Sequence, residues 1–174
     1  MSILELLKFG PRPRSSAETD TVRRITESLD RLEPERAKYV AAFAYLLSRV
    51  ARADLNISSE ENQVMERIVM EIGGLPEEQA LIVVQIAKTQ NILFGGTEDY
   101  LVAREFNSIA SHEQKLSLLH CLFAVAAADE SISTVEDNQI SQIADELRIE
   151  HRDFIAVRSM FRKCLAVLKP KAEN

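Results

Sequence analysis

The sequence predicts an all-α fold, a compact bundle of seven or eight helices built from two related helix–loop–helix units. Three observations support it. One stretch of the chain occurs twice, and an internal repeat decides the architecture before any single element is considered. Only 5 Gly and 5 Pro occur in 174 residues, which favours helices over a turn-rich β fold. Apolar residues also recur at helical spacing on both sides of each copy.

The repeat joins residues 44–61 to residues 119–136 by a shift of 75 positions, without a gap. Eight of the 18 aligned pairs are identical. The identical pairs are Leu47/Leu122, Val50/Val125, Ala51/Ala126, Ala53/Ala128, Asp54/Asp129, Ile57/Ile132, Ser58/Ser133 and Glu61/Glu136. Both copies contain the pattern A-D-x-x-I-S-x-x-E, which we call the acidic element, at 53–61 and 128–136. It is the candidate site of the chain.

Composition suggests three segments. Residues 1–20 are predicted to be a flexible N-terminal segment and linker, because Gly10-Pro-Arg-Pro13 breaks any helix there. Residues 21–169 are predicted to form the helical domain, and 170–174 a C-terminal tail. Within the first segment, 2–9 has an amphipathic pattern that could touch a membrane or a partner, although a frayed terminus is the plainer interpretation.

The helices follow in order. A first apolar stripe comprises Val22, Ile25, Leu29 and Leu32, and Pro34 suits the start of the next helix. Gly73-Gly74 is expected to end the first unit. The matching apolar positions of the two units are Phe43, Leu46, Leu47 and Val50 with Leu118, Cys121, Leu122 and Val125, then Met65, Ile68, Val69 and Ile72 with Ile140, Ile143, Ala144 and Leu147.

Three further helices complete the count. One is predicted from Pro76 to about Gln90; its apolar run could also be a buried strand, but the residues at its start favour a helix. Another runs from Thr97 to about Ser108, and Ser111 with Gln114 forms a capping-box pattern for the second unit. The last helix is predicted to start at His151 or Arg152, with one face formed by Val157, Met160, Phe161, Cys164 and Leu168.

Two interpretations of the acidic element stay open. Ser58 with Glu61 and Ser133 with Glu136 fit capping boxes, in which serine and glutamate satisfy amides at a helix start. Isoleucine precedes each serine, where a hydrophobic staple is expected. Under this interpretation serine and glutamate need no ligand.

The aspartates suggest a cation instead. Asp54 and Asp129 follow helix C-termini, where the helix dipole disfavours negative charge. A local turn would explain them, and so would Ca²⁺ or Mg²⁺, which bind carboxylate oxygens. A shared metal site at Asp54, Glu61, Asp129 and Glu136 requires the two loops to meet. An EF-hand is excluded, because its glycine and its final glutamate are missing at the required spacing.

The sequence gives little support for a soft-metal site or for catalysis. Cysteine and histidine are too scattered for a soft-metal site, and His112-Glu113 lacks the second histidine of a zincin motif. The sequence contains no catalytic motif, so we expect a protein that is not an enzyme, with a metal-dependent hydrolase as a remote alternative. Cys121 and Cys164 are expected to be reduced core thiols, and His120 a core or boundary histidine.

Charge is segregated along the chain. Residues 1–52 carry net +3, residues 53–150 net −13 and residues 151–174 net +4. The acidic middle should repel nucleic acid and attract cations or a protein partner with a basic surface, unless it serves only solubility. The longest uncharged runs are too short to span a bilayer, so a cytoplasmic protein is expected. A homodimer is an open option.

The repeats resemble the tellurite-resistance TerB-like family, which also includes a domain of membrane-anchored DnaJ-like co-chaperones. The resemblance covers about residues 36–162 and is carried by Val50-Ala-Arg-Ala-Asp54 with Ile57-Ser-Ser-Glu-Glu61, by Val125-Ala-Ala-Ala-Asp129 with Ile132-Ser-Thr-Val-Glu136, and by the closing segment 143–154. It implies a compact fold of two similar helical halves. It also implies a stress-response role and a divalent-metal site at the duplicated acidic positions. The family usually has glycine directly after the aspartate, where this chain has Leu55 and Glu130.

Overall fold

A computed structural model describes residues 16–51, 59–93 and 99–168. Within these ranges the chain forms eight α-helices, and the β-structure consists of a single isolated bridge. The helices are α1 Ser16–Asp30, α2 Pro34–Ala51, α3 Ser59–Glu71, α4 Glu77–Leu93, α5 Asp99–Ile109, α6 His112–Ala126, α7 Thr134–Glu146 and α8 His151–Met160, followed by a 3₁₀ turn at Ala166–Leu168. The predicted all-α class is confirmed, and the apolar run 80–84 is part of a helix.

Helix α2 is the centre of the bundle. It packs against α4, α5 and α6, and 13 of its 18 residues are buried. Such a helix is apolar on all sides because neighbours surround it. Tyr39 stacks on Phe106 with ring centroids 5.3 Å apart, and Phe43 meets the same ring edge-on. The core of the molecule therefore lies around the first helix of the first repeat.

The two repeated units pack as related halves. The first helices of the units, α2 and α6, contact each other directly. Each also contacts the second helix of the other unit: α2 packs on α7, and α6 packs on α3. This exchange of partners is what an approximate two-fold relation between the units produces. The repeat in the sequence is therefore a repeat in the structure.

The first unit ends at the predicted glycine pair. Gly74 has φ +67°, a left-handed conformation that glycine adopts without steric cost. Gly73 is buried, and a Cβ there would lie 2.5 Å from the carbonyl oxygen of Val69. Any side chain at position 73 would therefore collide with the end of α3.

The last helix is shorter than predicted. It ends at Met160, and the chain then turns and runs beside the loop between α6 and α7. The Ile132 N–H donates to the Cys164 carbonyl at 2.7 Å, and the Ala166 N–H donates to the Ile132 carbonyl at 2.9 Å. Because these bonds require an extended backbone at Leu165, one continuous helical face to Leu168 is wrong. Leu165 is buried, whereas Met160 and Leu168 are exposed.

The structure describes only part of the N-terminal and C-terminal segments that the sequence predicts. Helix α1 begins at Ser16, and its residues Ile25 and Leu29 are buried in the core. Residues 16–20, which were predicted as the end of the linker, belong to α1. Residues 1–15 and 169–174 lie outside the described residues, so the rest of the first segment and the C-terminal tail stay predictions. No helix in the described part of the chain is long and apolar enough to cross a membrane.

Candidate functional site

The second acidic element forms the loop between α6 and α7. Asp129 lies on the surface, and its Oδ1 accepts a hydrogen bond from the Ser131 N–H at 3.1 Å. This is the local turn that an aspartate makes with the backbone two residues later. The next residue, Glu130, has φ +65°. A residue with a Cβ is strained by about 1–2 kcal/mol in that conformation. The family that the repeats resemble usually has glycine at this position.

Glu136 caps the helix that follows. The Ser133 Oγ accepts from the Glu136 N–H at 3.2 Å, and Glu136 Oε2 accepts from the Ser133 N–H at 2.8 Å and from the Ser133 hydroxyl at 2.7 Å. The predicted capping box is confirmed here, as is the one that joins Ser111 to Gln114. One carboxylate oxygen of Glu136 is thus engaged within its own helix.

The hydrophobic staple predicted at Ile132 is wrong. A staple needs an apolar residue at the fourth helical position, and that residue is Asp137. Asp137 instead forms a two-pronged ion pair with Arg158 of α8, at 2.6 and 2.8 Å, which raises the pKa of the guanidinium. Ile132 is fully buried and is held by the backbone bridge to the segment after α8.

The first acidic element falls largely outside the described residues. Asp54 and Ser58 lie in the undescribed stretch 52–58, and the side chain of Glu61 at the start of α3 is not described either. The capping box predicted at Ser58 and Glu61 therefore stays a prediction. Only Asp129 and Glu136, from the second unit, can be placed among the four candidate metal ligands.

A buried charged cluster, which was not predicted, lies beside this region. Arg49 sits in the last turns of α2 with only 2% of its side chain exposed. It binds Glu146 of α7 through two hydrogen bonds, at 2.6 and 3.1 Å, and its Nε lies 3.6 Å from an oxygen of Asp99. The other oxygen of Asp99 accepts from the Tyr45 hydroxyl at 2.6 Å. We call these four residues the Arg49 cluster.

The sequence contained a signal for the Arg49 cluster. Arg49 is the one charged residue in a helical run, 39–51, that is otherwise uncharged and has the composition of a core. A charge at a buried helical position needs partners from other helices. Periodicity alone does not identify those partners, because Asp99 and Glu146 lie 50 and 97 positions further along the chain.

The Arg49 cluster joins the end of α2 to the middle and the C-terminal end of α7. With its amide oriented so that the oxygen faces the guanidinium, Gln139 accepts from Arg49 Nη2 at 3.0 Å and from Nε at 3.2 Å. Gln139 follows Glu136 by three residues, so the two side chains are neighbours on the helix surface. Arg49 precedes Asp54 by five residues.

The described carboxylates do not form a metal site by themselves. No group of three or more His, Cys, Asp or Glu side chains that could hold a metal ion is present within 16–51, 59–93 and 99–168. Asp129 and Glu136 supply two carboxylates, each with one oxygen bonded locally, whereas Ca²⁺ takes six to eight oxygen ligands. A site at this loop therefore needs further oxygen ligands besides these two carboxylates.

The two cysteines are free thiols, as expected. Burial raises the pKa of the Cys121 thiol to about 12, and its sulfur lies 3.7 Å from the Ile68 carbonyl. Cys164 is half-buried beside the core. His120 is a boundary residue, half-buried on α6, and its Nε2 lies 3.0 Å from the sulfur of Met160.

Comparison with known proteins agrees with the fold and with the resemblance seen in the repeats. The family model described as "Tellurite resistance protein TerB" matches residues 40–159. This range includes both repeated units and both acidic elements. No curated protein and no solved structure gave a significant match. Because the matched range covers more than half of the chain, the protein belongs to the TerB family of tellurite-resistance proteins.

Proposed function

We propose that the chain is a non-enzymatic binding module that acts through its duplicated acidic element. The proposed ligand is a divalent cation of the Ca²⁺ or Mg²⁺ type, held by Asp54, Glu61, Asp129 and Glu136. The family's tellurite-resistance label describes a phenotype, and it supports a stress-response setting for this binding.

The observation that carries the proposal is the contact between Arg49 and Gln139. Gln139 follows Glu136 by one helical turn on α7, and Arg49 also binds Glu146 at the C-terminal end of the same helix. From Ala51, the last described residue of α2, three residues lead to Asp54 and span at most about 10 Å. We therefore expect the first acidic element, which follows α2 in the chain, to lie near the second. A cation shared by the two loops needs this proximity.

The chemistry of the second loop supports the same proposal. Asp129 is exposed, and its carboxylate accepts a hydrogen bond from the Ser131 N–H. The strained Glu130 is held by the cap that follows it and by the bridge at Ile132. Strain of this kind persists only where the surrounding structure enforces it, and such positions concentrate at binding sites.

The experiment is calorimetry of the full chain with a chelator and then with millimolar Ca²⁺ or Mg²⁺. A ligand at 100 times its Kd stabilises the folded state by about 2.7 kcal/mol, so the wild-type Tm should rise. The Asp54→Asn/Asp129→Asn variant should lose the rise. Asp145→Asn is the matched control, since Asp145 is an exposed carboxylate on α7 outside the element. If the wild type shows no shift with either ion, the metal proposal is wrong.

The second candidate function is a metal-free interaction module that presents the acidic element to a basic protein partner. The capping box at Ser133 and Glu136 favours it, because it explains these residues without a ligand. Under this alternative the Tm does not respond to divalent ions. Glu136→Gln then costs at most about 0.5 kcal/mol, since glutamine also completes a capping box.

A further inference from the structure

A pair of soft donor atoms lies on the surface between α6 and α8, outside the acidic element. His120 Nε2 and Met160 Sδ are 3.0 Å apart, although the two residues are 40 positions apart in the chain. Among the described residues the His120 ring forms no ion pair with a carboxylate, whereas His112 is paired with Asp153. The polar partner of His120 Nε2 is the thioether sulfur of Met160.

The packing holds the imidazole in place. The ring of Phe161 meets His120 edge-on, with centroids 6.2 Å apart, and stacks on the fully buried Phe123 at 5.5 Å. Met160 is 69% exposed, so solvent reaches its side chain. It is also the last residue of α8, where the partial negative charge of the helix C-terminus favours a cation. The His120 nitrogen is therefore preorganised, whereas the Met160 sulfur is accessible and adaptable.

These two donors select a particular class of ion. A thioether is a soft ligand suited to Cu(I), and imidazole also binds copper, whereas Ca²⁺ and Mg²⁺ prefer oxygen. With the bond lengths that zinc makes to nitrogen and sulfur as a guide, about 2.0 and 2.3 Å, donors at a right angle lie about 3.0 Å apart and linear donors about 4.3 Å apart. Met160 can cover the difference, because methionine has three rotatable side-chain bonds. Arg162 and Lys163 follow in an exposed turn, where solvent screens their charge.

We propose that His120 and Met160 form a binding site for a soft monovalent cation of the Cu(I) class, with Ag(I) as a redox-inert analogue. The equivalent residues of the first unit are Tyr45 and Gln85, which are not soft ligands. The site therefore belongs to the second unit alone, and it does not depend on the acidic elements.

The test is a titration of the full chain carrying Cys164→Ser with Ag(I), in chloride-free buffer, followed by NMR. The substitution removes the one half-buried thiol, and Cys121 is inaccessible in the core. We expect the Met160 methyl and His120 ring signals to shift together and to saturate at one ion per chain. Met160→Leu and His120→Gln should each weaken binding at least tenfold while the circular dichroism spectrum stays unchanged.

The chain offers matched controls. Met70→Leu changes another exposed methionine and His151→Gln another exposed histidine, and both variants should bind as the parent does. Ca²⁺ and Mg²⁺ should leave the two signals unmoved. Binding that survives Met160→Leu, or Ag(I) that shifts neither His120 nor Met160, would overturn the proposal.

Discussion

Arg49 shows how one residue determines contacts that the rest of its helix does not. Its neighbours on α2 are apolar and need only volume, but a buried guanidinium needs counter-charges and hydrogen-bond acceptors. Glu146, Asp99 and Gln139 supply them from two other helices. The ends of α2, α5 and α7 are thereby held together.

Replacing Arg49 by methionine should be strongly destabilising. Methionine keeps most of the volume but leaves Glu146 and Asp99 without their positive partner, and breaking a buried pair in this way costs about 3–5 kcal/mol. Urea unfolding of the wild type and of Arg49→Met measures the loss. Arg23→Met is the control, since the Arg23–Asp20 pair is more than half exposed and contributes at most about 1 kcal/mol. A loss below 1 kcal/mol for Arg49→Met would show that the pair is not buried as described.

Cys121 should make the protein less stable in alkali. Burial raises the pKa of its thiol from 9.0 to about 12. Above pH 9 the unfolded thiol ionises while the folded thiol keeps its proton, so stability present at neutral pH is lost as the pH rises towards 12. The free energy of unfolding should fall by up to about 1.4 kcal/mol per pH unit from this group.

The measurement compares unfolding free energies of the wild type and of Cys121→Ala from pH 8 to pH 11. The wild type should lose stability more steeply. Cys164→Ala should retain the wild-type slope, because it leaves the buried Cys121 thiol in place. Parallel curves for Cys121→Ala and the wild type would contradict the assignment. Tyr39, whose pKa burial raises to about 12, acts in the same direction in every variant.

At the scale of the elements, two helix starts are determined by neighbouring residues, whereas the end of α8 depends on a distant segment. The capping boxes at Ser111 and Ser133 involve residues three positions apart, so the sequence pattern alone predicts them. The end of α8 is set instead by backbone hydrogen bonds to Ile132, a residue more than 30 positions earlier. Apolar spacing continues past Met160, but those bonds turn the chain away from helical geometry.

Substituting proline for Ala166 tests the bridge to the second acidic loop. Proline lacks the N–H that donates to the Ile132 carbonyl, and its fixed φ suits the start of a 3₁₀ turn, so the change removes little besides one bond. We expect a loss of about 1–2 kcal/mol in urea unfolding, because a buried carbonyl is left unpaired. Ala166→Ser keeps the N–H and should stay within about 0.5 kcal/mol of the wild type. Equal stability of the two variants would show that the bridge does not hold the loop.

At the scale of the whole molecule, the two repeated units pack against each other. Helix α2 covers α6, and α3 packs against the same helix. Helix α6, whose buried residues include Leu118, Cys121 and Leu122, therefore packs against the first unit as well as against α7 and α8 of its own unit. The two units form one core with a repeated sequence inside it.

A fragment of residues 111–174 should therefore be unfolded or should aggregate. Without α2 and α3 it exposes the apolar face of α6, and a chain of this length has little other surface to bury. Circular dichroism during heating, with the fragment's mass measured in solution, is the test. A cooperative thermal transition of a monomeric fragment would show that the second unit folds alone.

The all-α class, the pairing of the two units, the glycine stop after α3 and two capping boxes were all determined by the sequence itself. Each depends on spacing within a few residues or on a direct repeat. Tertiary structure alone decided the partners of Arg49, the end of α8 and the contact between His120 and Met160. Each of these features joins residues that are many positions apart. Local sequence patterns do not identify the distant segment that supplies the matching charge, donor atom or backbone hydrogen bond.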